Sequence, residues 1–287
     1  NSYLKIHQTI MGIKARLKKL VSFVLHGEPN PIYANISYLS PNETLRGKKV
    51  IITGGGRGLG FSIAKKFVSE GADVLISGRN TKVLEESAKL LGCKYLQLDV
   101  SKPSEFDSFM KNAYNLLDGM NVLVNNAGIS LHENSFFDIT PDTFDAQYDT
   151  NLKGPFFLTQ SFIRQMREYG TTKASVLFVS SETGETMDFR PYGFTKASIN
   201  SMVKGLAYLF AHDGIRINAV APGITASDMT GLSSEGNISY NGNICGRVYM
   251  PEEVAETAAF LVSDAADCLS GQIITCNNAK TINARWK

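Results

Sequence analysis

The chain has 287 residues, 43% of them hydrophobic and 20% charged, and its 29 Lys and Arg nearly balance 27 Asp and Glu, leaving a formal charge of +2. That length accommodates one large α/β domain with a sizeable core and an appendage, and a near-neutral chain without a basic, aromatic-interleaved stripe is not built for nucleic acid. Its four cysteines, Cys93, Cys245, Cys268 and Cys276, form no Cys-x-x-Cys pair and have no histidine cluster beside them. This argues against a metal site and for a reduced, cytoplasmic chain in which the sequons at Asn35, Asn42 and Asn237 are accidental.

Residues 1 to 46 read as a segment of their own, ahead of a domain expected over residues 47 to 287. Ile6, Ile10, Ile13, Leu17, Leu20 and Val24 alternate at spacings of four and three, the seam of an amphipathic helix. Lys5, Lys14, Arg16, Lys18 and Lys19 make the first 25 residues basic, with no acid among them. Charges from Lys14 to Lys19 interrupt the apolar content, so the helix is no transmembrane span, and it lacks the uncharged core and small-residue cleavage site of a secretory signal. A membrane surface is one destination for such a helix; packing on its own domain or on a second copy is the preferred reading.

The first strand, Val50-Ile51-Ile52, runs directly into Thr53-Gly54-Gly55-Gly56-Arg57-Gly58-Leu59-Gly60, after which Ile63, Ala64, Phe67 and Val68 recur at helical spacing until Gly71. In this strand, turn and helix context, glycines permit a tight turn and close backbone approach, and the helix's orphan N–H groups suit a pyrophosphate. The expected cofactor contacts here are Gly54, Gly56, Arg57, Gly58, Leu59 and Gly60. At the end of the second strand, Val74-Leu75-Ile76, an NAD site offers a carboxylate to the ribose 2′-hydroxyl, but this chain has Ser77-Gly78-Arg79-Asn80. Arg79 and Arg57 suit a 2′-phosphate by charge-assisted, fork-shaped contacts. NADP is therefore expected in preference to NAD.

Further strands are expected at Tyr95 to Leu98, Val122 to Asn125, Ser175 to Ser180, Ile217 to Val220 and Gln272 to Thr275, with helical patterns between them. The alternation implies a Rossmann-type, doubly wound parallel seven-stranded sheet with helices on both faces and the ligand at the strands' carboxyl ends, plus an N-terminal helical extension. From Thr225 to Val248, four glycines among many Ser and Asn read as a mobile lid over the substrate.

Taken in order, these segments resemble the short-chain dehydrogenase/reductase family from about residue 47 to residue 278. The Thr53-to-Gly60 turn matches that family's cofactor loop, Asp99-Val100 its adenine-side pair, and Asn125-Asn126-Ala127-Gly128 the turn after its fourth strand. Tyr192-Gly193-Phe194-Thr195-Lys196 matches its Tyr-x-x-x-Lys. Asn151 in Asn151-Leu152-Lys153-Gly154 and Ser181 in Ser180-Ser181-Glu182-Thr183-Gly184 match the remaining catalytic positions. The segment from Arg216 to Pro222 and Gly223 is similar to the one beneath the nicotinamide, and Thr225 matches the position that contacts the nicotinamide carboxamide. The members most resembled are 3-oxoacyl-carrier-protein reductase-like enzymes, followed by sugar or polyol and hydroxysteroid dehydrogenases.

The resemblance implies an NADP-dependent oxidoreductase that interconverts a carbonyl and a secondary alcohol on a small molecule, the alternative being a non-catalytic NADP-binding scaffold. It also implies a homo-oligomer, tetramer or dimer. Tyr192 would be the acid/base. A free phenol titrates near about 10, and Lys196, four residues on along the same helix face, together with oxidised nicotinamide, is expected to lower that value. Lys196 would also hold the nicotinamide ribose, so both residues count as cofactor contacts. Ser181 would donate to the substrate oxygen, and Asn151 would hold a water behind the lysine. Ser180 is the weaker alternative, because Ser181 completes Ser-x-x-Gly with Gly184. Ser181 stands eleven residues before Tyr192, a tighter interval than is common in the family. That loop holds Glu182, Glu185, Asp188 and Arg190, unusual charge for a substrate entrance, and Arg190 is read as a solvated rim charge in preference to an anchor for an anionic substrate. Asn277-Asn278-Ala279 replaces the acid and glycines often found after the family's last strand.

Overall fold

The computed structural model describes residues 42–282 together with Val21 and Val24, both helical; the amphipathic helix expected over residues 6 to 24 otherwise lies outside the described residues. Seven strands, β1 (Lys49–Thr53), β2 (Asp73–Gly78), β3 (Lys94–Gln97), β4 (Val122–Asn125), β5 (Ala174–Val179), β6 (Ile215–Pro222) and β7 (Ile273–Cys276), form one sheet. They lie in the order β3-β2-β1-β4-β5-β6-β7, and every pairing is parallel. The expected doubly wound, Rossmann-type sheet is thus observed, with each strand within two residues of its anticipated limits. The order reverses between β1 and β4, where the chain turns from winding one way to winding the other, and the crevice at that point is where such sheets take a ligand.

The apolar runs that mark the strands are continuous because the sheet is covered on both faces. Side chains alternate. Ile51, Leu75, Leu123, Val176 and Ile217 face one layer, formed by α3 (Phe106–Leu117), α5 (Gly154–Glu168) and α6 (Pro191–Phe210). Val50, Ile52, Val74, Ile76 and Val124 face the other, formed by α1 (Gly58–Ser69), α2 (Thr81–Leu91) and α7 (Pro251–Val262). Phe67 and Phe162 anchor the two layers and are fully buried, each contributing on the order of 2–3 kcal/mol from apolar burial. Leu45, ahead of β1, is also fully buried among the α1 layer, and its N–H donates to Glu70 O at 2.9 Å.

A short helix, α4 (Pro141–Tyr148), is capped by Thr140 and runs into a π-helical turn over Asp149–Lys153 before α5. The segment from Thr225 to Val248, expected as a lid, is organised by its own bonds. Ser227 N–H donates to Leu232 O at 3.1 Å, Tyr240 N–H to Gly246 O at 2.9 Å, and the buried Asn243 carboxamide to Ile224 O and Arg247 O at 2.9 Å. No helix among the described residues is long and apolar enough to cross a membrane.

Candidate active site

The glycine turn takes its shape from crowding. Gly54 has φ +66°, a left-handed conformation open to glycine, and a Cβ at Gly60 would sit 2.3 Å from both Gly54 O and the Asn126 carboxamide nitrogen. That carboxamide donates to Thr53 O at 2.9 Å and to Gly54 O at 3.1 Å, while the Thr53 hydroxyl accepts from Asn126 N–H and Ala127 N–H, both at 3.1 Å. The ends of β1 and β4 are thereby tied into one platform, with Gly128 beside the Asn151 and Lys196 side chains.

Helix α1 begins directly from this turn. Its N-terminal N–H groups have no side-chain cap and there is no acid in the first turn, so an anion would meet orphan donors and the positive end of the helix dipole. Among the described residues, a Cβ on Gly58 would have only Ser227 within 4 Å, at 3.8 Å, which leaves a shallow cradle beside Leu59. These residues fit a dinucleotide's pyrophosphate. Arg79 is exposed just past β2, and the Ser77 hydroxyl before it is buried without a partner. Beyond β3, burial works against the Asp99 carboxylate, but hydrogen bonds from Ser101 N–H and Oγ at 3.0 and 2.8 Å and the charge of Arg79 hold it below its usual range. Val100 O abuts Gly154, where a Cβ would come within 2.2 Å. Arg57 is committed elsewhere: its guanidinium pairs with Asp228 of the Thr225–Val248 segment at 3.3 Å, both side chains largely exposed.

Tyr192 and Lys196 lie one turn apart at the start of α6, which Pro191 opens. The Lys196 ammonium sits 5.5 Å from the Tyr192 ring centroid and donates to Val179 O at 2.8 Å. Burial pushes the lysine down to about 8. The phenol departs from expectation. Burial raises its pKa, and the Ser181 hydroxyl, hydrogen-bonded to it, and the Arg190 guanidinium pull it part of the way back. The net direction is upward because packing around the phenol disfavours its charged form and the Asp188 carboxylate adds to that effect.

Ser181 begins the short turn Glu182–Glu185 and accepts from Thr183 N–H at 3.2 Å. Gly184 is required there, since a Cβ would press within 2.9 Å of the Lys196 backbone. Ser180, by contrast, gives its hydroxyl to Asn200 Oδ1 at 2.6 Å, which leaves Ser181 as the hydroxyl beside the phenol. Asn151 projects from the π-helical turn and is 2% exposed; its carboxamide accepts from Ile129 N–H and donates to Ile129 O, both at 2.8 Å, with Thr195 Oγ1 at 3.4 Å. The turn inserts the extra residue that aims this side chain inward. Pro222 ends β6 and is buried; Gly223 faces the Tyr249 ring, which a Cβ would meet at 2.7 Å, and Thr225 is buried, its hydroxyl donating to Gly223 O at 2.9 Å.

Tyr192, Lys196, Ser181, Asn151 and Gly128 thus converge at the carboxyl ends of β4 and β5, beside the glycine turn, whereas Arg79 and Asp99 lie at the outer end of the crevice. Three participants in this neighbourhood carried no sequence signal as site residues: Ser227 against Gly58, Tyr249 against Gly223, and Glu133. The Glu133 carboxylate is buried, accepts from Gln147 Nε2 at 2.5 Å through one oxygen and leaves the other unpartnered.

A family profile described as enoyl-(acyl carrier protein) reductase matches residues 54–278. The 3-oxoacyl-[acyl-carrier-protein] reductase FabG of Aquifex aeolicus is 35% identical over 243 residues, covering 81% of this chain and 97% of that protein. A 3alpha-hydroxysteroid dehydrogenase of Mediterraneibacter gnavus is 33% identical over 253 residues, covering 82% and 97%. The crystal structure of a 3-ketoacyl-(acyl-carrier-protein) reductase from Brucella melitensis complexed with NADH superposes with a TM-score of 0.76 at 28% identity, over 83% of this chain and 100% of that one. The chain belongs to the short-chain dehydrogenase/reductase family and is a nicotinamide-dependent oxidoreductase acting on CH–OH and C=O groups.

Proposed function

We propose that the chain is an NADP-dependent reductase of a carbonyl group, working as a 3-oxoacyl-thioester reductase or a relative of it, with Tyr192 as the proton donor. The observation that carries this reading is the convergence of Tyr192, Ser181 and Lys196 at one end of the sheet, with the serine hydroxyl on the phenol and the lysine beneath its ring. When bound, the nicotinamide supplies the hydride. Ser181 then orients the substrate oxygen by donating to it, Tyr192 protonates that oxygen as charge develops, and the buried lysine holds the ribose while stabilising the phenolate left behind. Asn151, fixed by both backbone groups of Ile129, keeps the floor behind Lys196 in place and holds the relay water there. Gly54, Gly56, Gly58, Leu59 and Gly60 take the pyrophosphate, Asp99 and Val100 the adenine side, and Asn126, Ala127, Gly128, Pro222, Gly223 and Thr225 the nicotinamide half. Arg57 and Arg79 take the 2′-phosphate.

The reading is tested by NADPH and NADH binding to the wild type and Arg79→Ala, followed by turnover of 3-oxoacyl thioesters, ketosteroids, sugars and simple ketones. NADPH preference that falls in the variant, with turnover that Tyr192→Phe removes, supports it. Binding without any turnover would leave an NADP-binding scaffold. The outer faces of α5 and α6 leave Phe156 and Leu209 exposed around a cavity of about 370 Å³ between the two helices, and we propose that two copies of the chain pair there. Four free cysteines accord with placement in the reducing cytoplasm.

A further inference from the structure

The loop between Ser181 and Tyr192 is charged by sequence, yet its charges are paired and two large apolar side chains stand at its surface. Each charge has a partner: the buried Glu182 has Lys280 at 2.7 Å and Asn277 at 3.1 Å, Glu185, itself exposed, has the Thr281 hydroxyl at 3.1 Å, and Asp188 and Arg190 have one another through paired contacts of 2.8 and 2.9 Å. Beside Glu185 and Thr186, the loop turns to solvent Met187, fully exposed, and Phe189, 44% exposed. Two other segments bordering the site do the same: the stretch after β4 exposes Leu131 and Phe137, and the stretch after Gly223 exposes Met229.

The three segments meet around the phenol. The His132 ring nitrogen lies 2.7 Å from Met229 O, joining the first to the third. Glu133 of the first acts on Arg190 of the second, and Arg190 acts on Tyr192. Five large apolar side chains are exposed on the segments that border the site, and apolar exposure concentrated in one region, unlike apolar residues scattered singly, marks a binding surface. The one arginine of this loop, Arg190, is already engaged by Asp188.

We infer that the substrate carries an extended apolar body next to its carbonyl, an alkyl chain or a fused-ring skeleton, lying on Leu131, Phe137, Met187, Phe189 and Met229 while the carbonyl meets Tyr192 and Ser181. This rests on the carbonyl-reductase reading above. Burial of one methylene is worth about a threefold to fourfold gain when complete, and about twofold on an open rim.

The test is kcat/KM with NADPH for linear 2-alkanones of increasing length, fused-ring ketones, and sugars, on the wild type and Met187→Ser/Phe189→Ser. The expected result is a gain of about twofold or more per added methylene across the alkanones or a matching preference for the fused-ring ketones, sugars far below both, and a flattened gain in the double variant with its NADPH Kd preserved; the two ketone arms separate a chain from a ring skeleton. Turnover of the shortest ketone with neither a gain on lengthening nor a preference for fused-ring ketones, a preference for sugars, or a gain or preference that the double variant keeps would each overturn the inference. So would a flat series accompanied by phosphatidylcholine-vesicle binding that the double variant loses, which assigns the rim to a lipid surface. Absence of turnover for every carbonyl compound despite NADPH binding would instead fail the reductase reading itself.

Discussion

Lys280 Nζ lies 2.7 Å from Glu182 Oε1, an ion pair that ties the residue after Ser181 to the segment after the last strand. Asn277 donates to the other carboxylate oxygen at 3.1 Å, and its Cβ is 3.0 Å from where a Cβ on Gly223 would lie. One short segment therefore braces both the serine loop and the end of β6. Removing Lys280 would leave a carboxylate with a side chain 10% exposed facing the site without its cation. Because the ammonium is itself a third exposed, the loss should be about 2 kcal/mol, below the range of a fully buried pair. Lys280→Met should lower Tm by about 4–8 °C and reduce kcat more than it raises KM. Lys280→Arg should restore both, and Glu182→Gln/Lys280→Met should recover most of the Tm in calorimetry.

The glycine turn gives an internal contrast. A Cβ at Gly60 meets the Gly54 carbonyl oxygen and the Asn126 amide at 2.3 Å, whereas one at Gly56 meets the ends of Val83 and Leu84 at 3.2 and 3.4 Å. Backbone and a bonded carboxamide cannot yield, while flexible aliphatic ends can. Gly60→Ala should weaken NADPH binding by about a hundredfold or more, since a misplacement of the order of an ångström at a fixed site costs that much. Gly56→Ala should stay within about fivefold. Fluorescence titration of the two variants reads the difference, and equal losses would mean that the turn is not held by this crowding.

Much of this was readable in the chain because the central strands are buried on both faces, so that Val50 to Thr53 and Val122 to Asn125 appear as unbroken apolar runs ending in glycine or asparagine turns. The edge strands Lys94–Gln97 and Ile273–Cys276, despite exposed positions and mixed composition, were placed one residue off, while the buried Ile215–Pro222 runs two residues past its expected limits at both ends. Charge was the harder quantity. Glu182 gave no sign that its partner is Lys280, 98 residues on, and the basic Arg57 gave none that it meets Asp228, because long-range pairing leaves no local pattern. Lys196 four residues after Tyr192 suggested a lowered phenol; the Val179 carbonyl that holds the ammonium and the burial that raises the phenol come from tertiary packing.

Arg57 and Asp228 make a second prediction about charge. Their 3.3 Å pair is exposed on both sides, so it is worth about 0–1 kcal/mol, yet it holds one of the two arginines proposed for the 2′-phosphate. Asp228→Asn should release Arg57 and tighten NADPH binding up to about fivefold at low salt, with little change for NADH and a smaller effect as ionic strength rises. Calorimetric titration with both cofactors checks it. A gain of equal size for NADH would show that Asp228 acts on the pyrophosphate side and not on the 2′-phosphate.

Lys196 is the residue for which function and stability oppose each other. Its ammonium is almost fully buried with one backbone carbonyl for a partner, and burial brings it from 10.5 down to about 8. A lysine with a lowered folded pKa binds its proton less tightly folded than unfolded, so the folded state bears the full cost below about 8, and that cost falls away as pH rises toward the unfolded value near about 10.4. The drop corresponds to about 3 kcal/mol at neutral pH in the cofactor-free protein. Lys196→Met removes that penalty and gives back about 1 kcal/mol by leaving Val179 O unbonded. The variant should therefore melt several degrees above the wild type at pH 7, the gap closing as pH is raised toward 10, while turnover is lost at every pH. Thermal melts across that range decide it. A variant less stable than wild type at pH 7 would mean that the ammonium is better solvated in the folded protein than its surroundings indicate.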